Sequence, residues 1–111
     1  MSDQHRQERI EGVEADLDRI FGQLERLRAL QADPEAAEDG DRRYDFSIRW
    51  GVLLSGRLQR LNYYDVRGEL GDSAQRRFDA LRSELREMAP VAVRLGMADP
   101  TEAMGSREPE R

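Results

Sequence analysis

The sequence predicts an all-α fold: a three-helix arrangement with a long antiparallel helical hairpin and an N-terminal amphipathic, coiled-coil-like helix, oligomeric in its working form. Alanine, glutamate, leucine and arginine make up nearly half of the 111 residues, a composition that marks long helices. Apolar residues recur at alternating spacings of three and four through most of the chain. The strongest breaks in that rhythm fall at Asp33-Pro34, Gly71-Asp72 and Asp99-Pro100. The expected organisation is one helical domain over residues 1–98, with helices over about 6–32, 44–70 and 73–96 and a break near Pro90, then a flexible tail over 99–111.

The first helix carries Ile10, Val13, Leu17, Ile20, Leu24 and Leu27. This is a heptad seam, with Ile10, Leu17 and Leu24 at one core position and Val13, Ile20 and Leu27 at the other. Phe21 and Leu30 widen the stripe beyond a thin two-stranded coil. Gly12 and Gly22 lie off the seam, where each costs helix stability by about 1 kcal/mol relative to alanine. The helix therefore needs a partner surface, and the six seam residues are the candidate interface. Asp33-Pro34 ends it.

Residues 34–43 read as a polar connector with a turn at Asp39-Gly40. Beyond it, Tyr44, Phe46, Ile48, Trp50, Val52 and Leu54 alternate with mostly polar neighbours, which is a strand signal. The alternation fails at Leu53-Leu54, and at helical spacing Phe46, Trp50, Leu53, Leu54, Leu58, Leu61 and Tyr64 share one broad face. Ile48, Val52, Tyr63, Val66 and Leu70 fall on roughly the opposite one. Helix is the favoured reading for 44–70, with a strand over 44–54 as the alternative, and two apolar faces predict a helix sandwiched between neighbours. Gly71 then ends it and Asp72 caps the next helix, with Gln75 three residues beyond the cap. Phe78, Leu81, Leu85, Met88, Ala92 and Leu95 form the third stripe. Pro90 predicts a kink or fresh start, and Gly96 with Asp99-Pro100 closes the helix.

Charge is unevenly distributed. Residues 1–41 carry a net −7, residues 42–94 a net +4 and residues 95–111 a net −2. The acidic first segment and the arginine-rich centre are complementary, which predicts that they lie against each other. In the alternative, the arginines face an acidic partner, with Arg57, Arg60, Arg76 and Arg77 as the candidate contacts.

The chemistry available is narrow. There is no cysteine, which removes disulfides, thiolate metal sites and a cysteine nucleophile. All 18 basic residues are arginine, which removes Schiff-base lysine chemistry and a lysine-bearing phosphate loop. His5, the single histidine, sits near the N-terminus, and no serine stands in a Gly-x-Ser-x-Gly elbow. Asp39-Gly40-Asp41 is a fragment of a calcium loop without the remaining ligands. No stretch reaches the roughly 18 uninterrupted apolar residues of a membrane span. The expectation is a cytoplasmic, non-catalytic helical protein–protein interaction module, an adaptor or assembly subunit, with no cofactor and no metal. Its partner is a second copy, giving a homodimer, or another helical protein. The alternative is a small arginine-dependent regulator that binds nucleic acid.

Overall fold

The computed structural model describes residues 11–104, and every regular element among them is helical. In chain order these are α1 (Val13–Ala32), α2 (Pro34–Glu38), α3 (Gly40–Leu53), a π-helical segment (Leu54–Leu58), α4 (Gln59–Val66), α5 (Asp72–Arg94) and α6 (Pro100–Ala103). The strand alternative over 44–54 is therefore excluded. His5, Ile10 and a helix start near residue 6 lie outside the described residues.

Several boundaries differ from the sequence reading, each for a local reason. Asp33-Pro34 ends α1 but also starts α2. Proline suits the first helical position, where a missing N–H has no intrahelical partner to lose, and the Asp33 carboxylate accepts from the Ala36 N–H at 3.3 Å as an N-cap. The Asp39 carboxylate does the same for α3, accepting from the N–H groups of Asp41 and Arg42 at 3.1 and 3.2 Å. The expected polar connector is thus mostly helix. At the start of α5 the cap is Gly71 rather than Asp72, and Gln75 donates to Asp65 on α4 at 2.8 Å instead of closing a capping box.

The central helix runs through α3, the π segment and α4 without interruption and ends at Val66, short of the expected Leu70. Gly68 stops it by taking a left-handed φ of 70°, which lets the Glu69 N–H reach back to the Tyr64 carbonyl at 2.9 Å. Within this helix, the buried residues Phe46, Trp50, Leu54 and Leu58 are each four apart. An ideal α-helix rotates such a series by about 40° per step, which would swing the last of them out of the core. The wider turn at Leu54–Leu58 absorbs that rotation.

α5 continues through Pro90 without the expected break. Pro90 and Arg86 lie on the exposed side of the helix, where a carbonyl that loses its helical donor can be hydrated. Gly96, at φ 82°, ends the helix with the Met97 N–H on the Ala92 carbonyl at 2.8 Å.

The predicted flexible tail is corrected over its first residues. Asp99 caps α6, Pro100 is almost fully buried, and Met97 and Met104 join the core. Two side chains of the central helix hold this segment: Trp50 Nε1 donates to the Ala98 carbonyl at 2.9 Å, and Asn62 Nδ2 to that of Ala103 at 3.0 Å.

The core is one cluster. Leu17, Ile20, Leu24 and Leu27 from α1 meet Trp50, Leu58 and Leu61 from the central helix and Phe78, Leu81 and Leu85 from α5. α1 lies chiefly along α5 and meets the central helix at the π segment. The Cα trace measures 53 × 34 × 19 Å. Three stacked helix layers would need about 21 Å or more, from interaxial spacings of 8–10 Å plus one Cα cylinder, so only two layers fit. The central helix is not sandwiched: Ile48, Val52, Tyr63 and Val66 of its second apolar face lie at the surface, while Leu70, beyond the helix end, is buried in the core.

Candidate interaction surface

From Val13 to Leu27, the seam that sequence reasoning offered as an interface is buried inside the chain. Val13, Leu17, Ile20, Leu24 and Leu27 are all 5% exposed or less, and they pack in the chain's own core. A second copy cannot reach them while the domain stays folded. The partner surface that α1 needed is supplied by α5 and the π segment.

The arginines proposed as acidic-partner contacts are largely engaged within the chain. Asp16 lies on the apolar side of α1, 3% exposed, and its two oxygens accept from Arg57 Nη1 at 2.6 Å and from Arg60 Nε at 2.8 Å. Arg60 also donates to the Glu11 carbonyl. Arg77 on α5 bridges Glu14 and Asp18 of α1, and Arg28 reaches back to Glu84 at 3.0 Å. Arg76 is exposed. Acids of α1 thus neutralise Arg57, Arg60 and Arg77 within one molecule. The hydrogen bond to Asp18 holds the Arg77 guanidinium above its ordinary pKa, and the Glu69 carboxylate raises Arg67 likewise, so both stay cationic at any physiological pH.

Asp16 is a nearly buried anion shared by two arginines, and Asp16→Asn tests its weight. The variant keeps the shape but leaves two guanidinium groups without their counter-charge. Because both arginines remain partly exposed, water offsets part of that loss. Urea denaturation should show a loss of about 1–3 kcal/mol rather than the larger figure for a fully buried pair.

Two surfaces remain after this accounting. One is the outer face of the central helix, where Tyr44, Ile48, Val52, Tyr63 and Val66 are 65, 49, 65, 54 and 61% exposed. Arg67 lies over the Tyr63 ring at 5.0 Å, and Tyr63 meets Tyr64 edge-on at 5.2 Å. The other is a groove between α1 and α3, in two adjoining parts of about 620 and 410 Å³ that share Arg26 and Arg49. Arg19, Arg26, Arg42 and Arg49, all four exposed, line it together with Arg57 and the carboxylates of Asp18, Asp33 and Asp45. None of the four exposed arginines makes an ion pair among the described residues. Ile48 and Val52 belong to both surfaces.

Sequence reasoning placed Ile48, Val52, Tyr63 and Val66 of the outer face together, without Tyr44, but assigned them a packed neighbour. It missed the groove, whose arginines are scattered over α1 and α3 and converge only in the fold. No helix among the described residues is long and apolar enough to cross a membrane. No protein-family model, curated protein or solved structure matches the chain.

Proposed function

We propose that the chain is a non-catalytic helical interaction module, an adaptor or assembly subunit, whose partner docks on the outer face of the central helix. The observation that carries this reading is the run of five large apolar side chains, Tyr44 to Val66, about half or more exposed along a single helix. Scattered exposed apolar residues are ordinary, but two apolar patches on one helix, Tyr44 to Val52 and Tyr63 to Val66, on either side of the exposed Ser55 and Gln59, suit an interaction surface. Tyrosines on such patches suit an interface, since each offers a rigid apolar ring and a polar tip.

The test is a differential capture. A tagged wild-type chain should retain a partner, either an untagged copy or another protein. A double Ile48→Glu, Tyr63→Glu variant should lose it with an unchanged circular dichroism spectrum, because both positions are exposed and unfolding is not expected. Retention of the same partners by both proteins would sink the reading.

The arginine groove favours a second reading, an anionic partner such as nucleic acid held by Arg19, Arg26, Arg42 and Arg49. Phosphate contacts release counterions, so log affinity should fall with log salt by about 0.9 per neutralised phosphate on duplex DNA. Tight, salt-steep binding that is lost when these four arginines become alanine would replace the interaction-module assignment. The original candidates Arg57, Arg60 and Arg77 are poorer phosphate contacts because Asp16, Glu14 and Asp18 already hold them.

A further inference from the structure

We infer that the groove between α1 and α3 receives an amphipathic helix of a partner protein, its apolar face against the groove and its acidic side chains against Arg19, Arg26, Arg42 and Arg49. The inference rests on the reading of the chain as an interaction module and adds the chemistry of what it binds. The groove is a gap between backbones. α1 meets the central helix at the π segment and α2 packs on both α1 and α3 at the other end, while between those points α1 and α3 stand apart. Residues 26–36 line one part with residues 42–49, and residues 18–26 line the other with residues 48–57, so the two walls run antiparallel. Leu30 and Phe46 give the first part an apolar lining, and Val52 and Leu53 the second. Gly22 adds no side chain to the α1 wall, and a Cβ built there meets nothing within 4 Å.

The arginines are spaced regularly along both walls. Arg19 and Arg26 are seven residues apart on one, and Arg42 and Arg49 are seven apart on the other, which is about 10 Å, or two helical turns, in each case. Arg26 and Arg49 line both parts and so mark the middle, while Arg19 lines only the second part and Arg42 only the first. Positive charge therefore recurs at three levels over about 20 Å. The carboxylates of the lining leave that charge in excess. Asp18 accepts from Arg77 at 2.9 Å and Asp33 caps α2, which leaves Asp45 against four arginines that make no ion pair among the described residues.

Charge and wall structure together select the occupant. Four unpaired guanidinium groups call for carboxylates or phosphates. Helical walls offer no free backbone edge, so an extended acidic peptide would gain no ladder of main-chain hydrogen bonds from them. An amphipathic helix satisfies its own backbone and lays its apolar stripe into such a groove, and acidic residues two turns apart beside that stripe would meet the arginine levels. Nucleic acid fits less well. Phe46, the aromatic residue of the lining, is buried and offers no face for a base to stack on. A nucleic-acid strand also carries a phosphate about every 3.4 Å along the duplex axis, roughly three times as often as the arginine levels recur.

Fluorescence anisotropy with the full-length protein tests this. The probe is a labelled synthetic helix of about 18 residues, with leucine along one face and glutamate at the flanking positions. It should bind, and the same helix with glutamine in place of glutamate should bind about tenfold more weakly. Combining Arg26→Glu with Arg49→Glu should weaken the glutamate probe by a similar factor. Gly22→Leu should weaken it without altering charge, since the new side chain enters the groove while leucine is the better helix former. Arg76→Glu with Arg86→Glu, at exposed positions of α5 outside the groove, changes the net charge equally and should leave binding intact, as should Tyr63→Glu. Circular dichroism checks that each variant stays folded. Equal binding of the two probes, an equal loss in the α5 variant, or full binding to Gly22→Leu would overturn the inference. A DNA duplex that binds the same arginines more tightly than the glutamate probe would overturn it in favour of nucleic acid. Absence of binding by the glutamate probe would also overturn it, and a partner capture that still depends on Tyr63 would then leave the interaction-module reading in place.

Discussion

Replacing Leu17 or Leu24 with aspartate is expected to unfold the chain, not to separate two intact copies. Both side chains have 0% exposure and sit among residues of the central helix and α5. Truncating a buried leucine to alanine already costs about 2–5 kcal/mol. A carboxylate in the same place adds a desolvation penalty of several kcal/mol more, unless it takes up a proton. A domain of this size has about 5–15 kcal/mol in total, so either variant should populate the unfolded state heavily. Far-UV circular dichroism and dispersed amide resonances should both collapse. A folded monomer with native helicity would instead show that the seam faces another copy, as the heptad spacing alone suggests.

The contrast shows what periodicity conveys and what it omits. A spacing of three and four identifies which side of α1 is apolar, but it is the same whether the opposing helix comes from another molecule or from residues 72–94 of the same chain. The choice depends on whether the connections let α5 return along α1. That is a property of three-dimensional closure, not of any local segment. The same limit applies to the central helix, whose two apolar faces were legible but whose number of neighbours was not. Counting layers required the fold.

Other features left signals that could have been read. Asp16 lies three residues after Val13 and four before Ile20, so it projects toward the apolar side, and a carboxylate there implies a cationic partner. Arg57 and Arg60, three apart on the central helix, are suitable donors. Asp33-Pro34 and Asp99-Pro100 carry the aspartate cap and first-turn proline of a helix start as well as the signal of a helix end. The π segment has only the run of four-residue spacings from Phe46 to Leu58. Those spacings became informative once all four residues were known to share one core. The groove arginines left no signal of any kind, since nothing local distinguishes Arg26 or Arg49 from the surface arginines around them.

Trp50→Ala is expected to be the most damaging single truncation in the central helix, and its effect should reach the C-terminal segment. The side chain is 1% exposed, its ring lies 5.9 Å from that of Phe46, and its Nε1 donates to the Ala98 carbonyl. Cavity formation on loss of a buried tryptophan costs about 3–5 kcal/mol, and the hydrogen bond adds about 1 kcal/mol. Trp50→Phe separates the two contributions, since it retains most of the apolar volume and removes only the donor. In that variant urea denaturation should show a smaller loss, about 1–2 kcal/mol. Hydrogen exchange should accelerate over residues 97–104 while α1 and α5 keep their protection, because only the Asn62 hydrogen bond to Ala103 and the packing of Met97, Pro100 and Met104 would then hold that segment. Uniform acceleration throughout the chain would mean that Trp50 supports the core as a whole and has no separate role in holding α6. A solvent-like emission maximum for this single tryptophan in the wild-type protein would contradict its placement in the core from the outset.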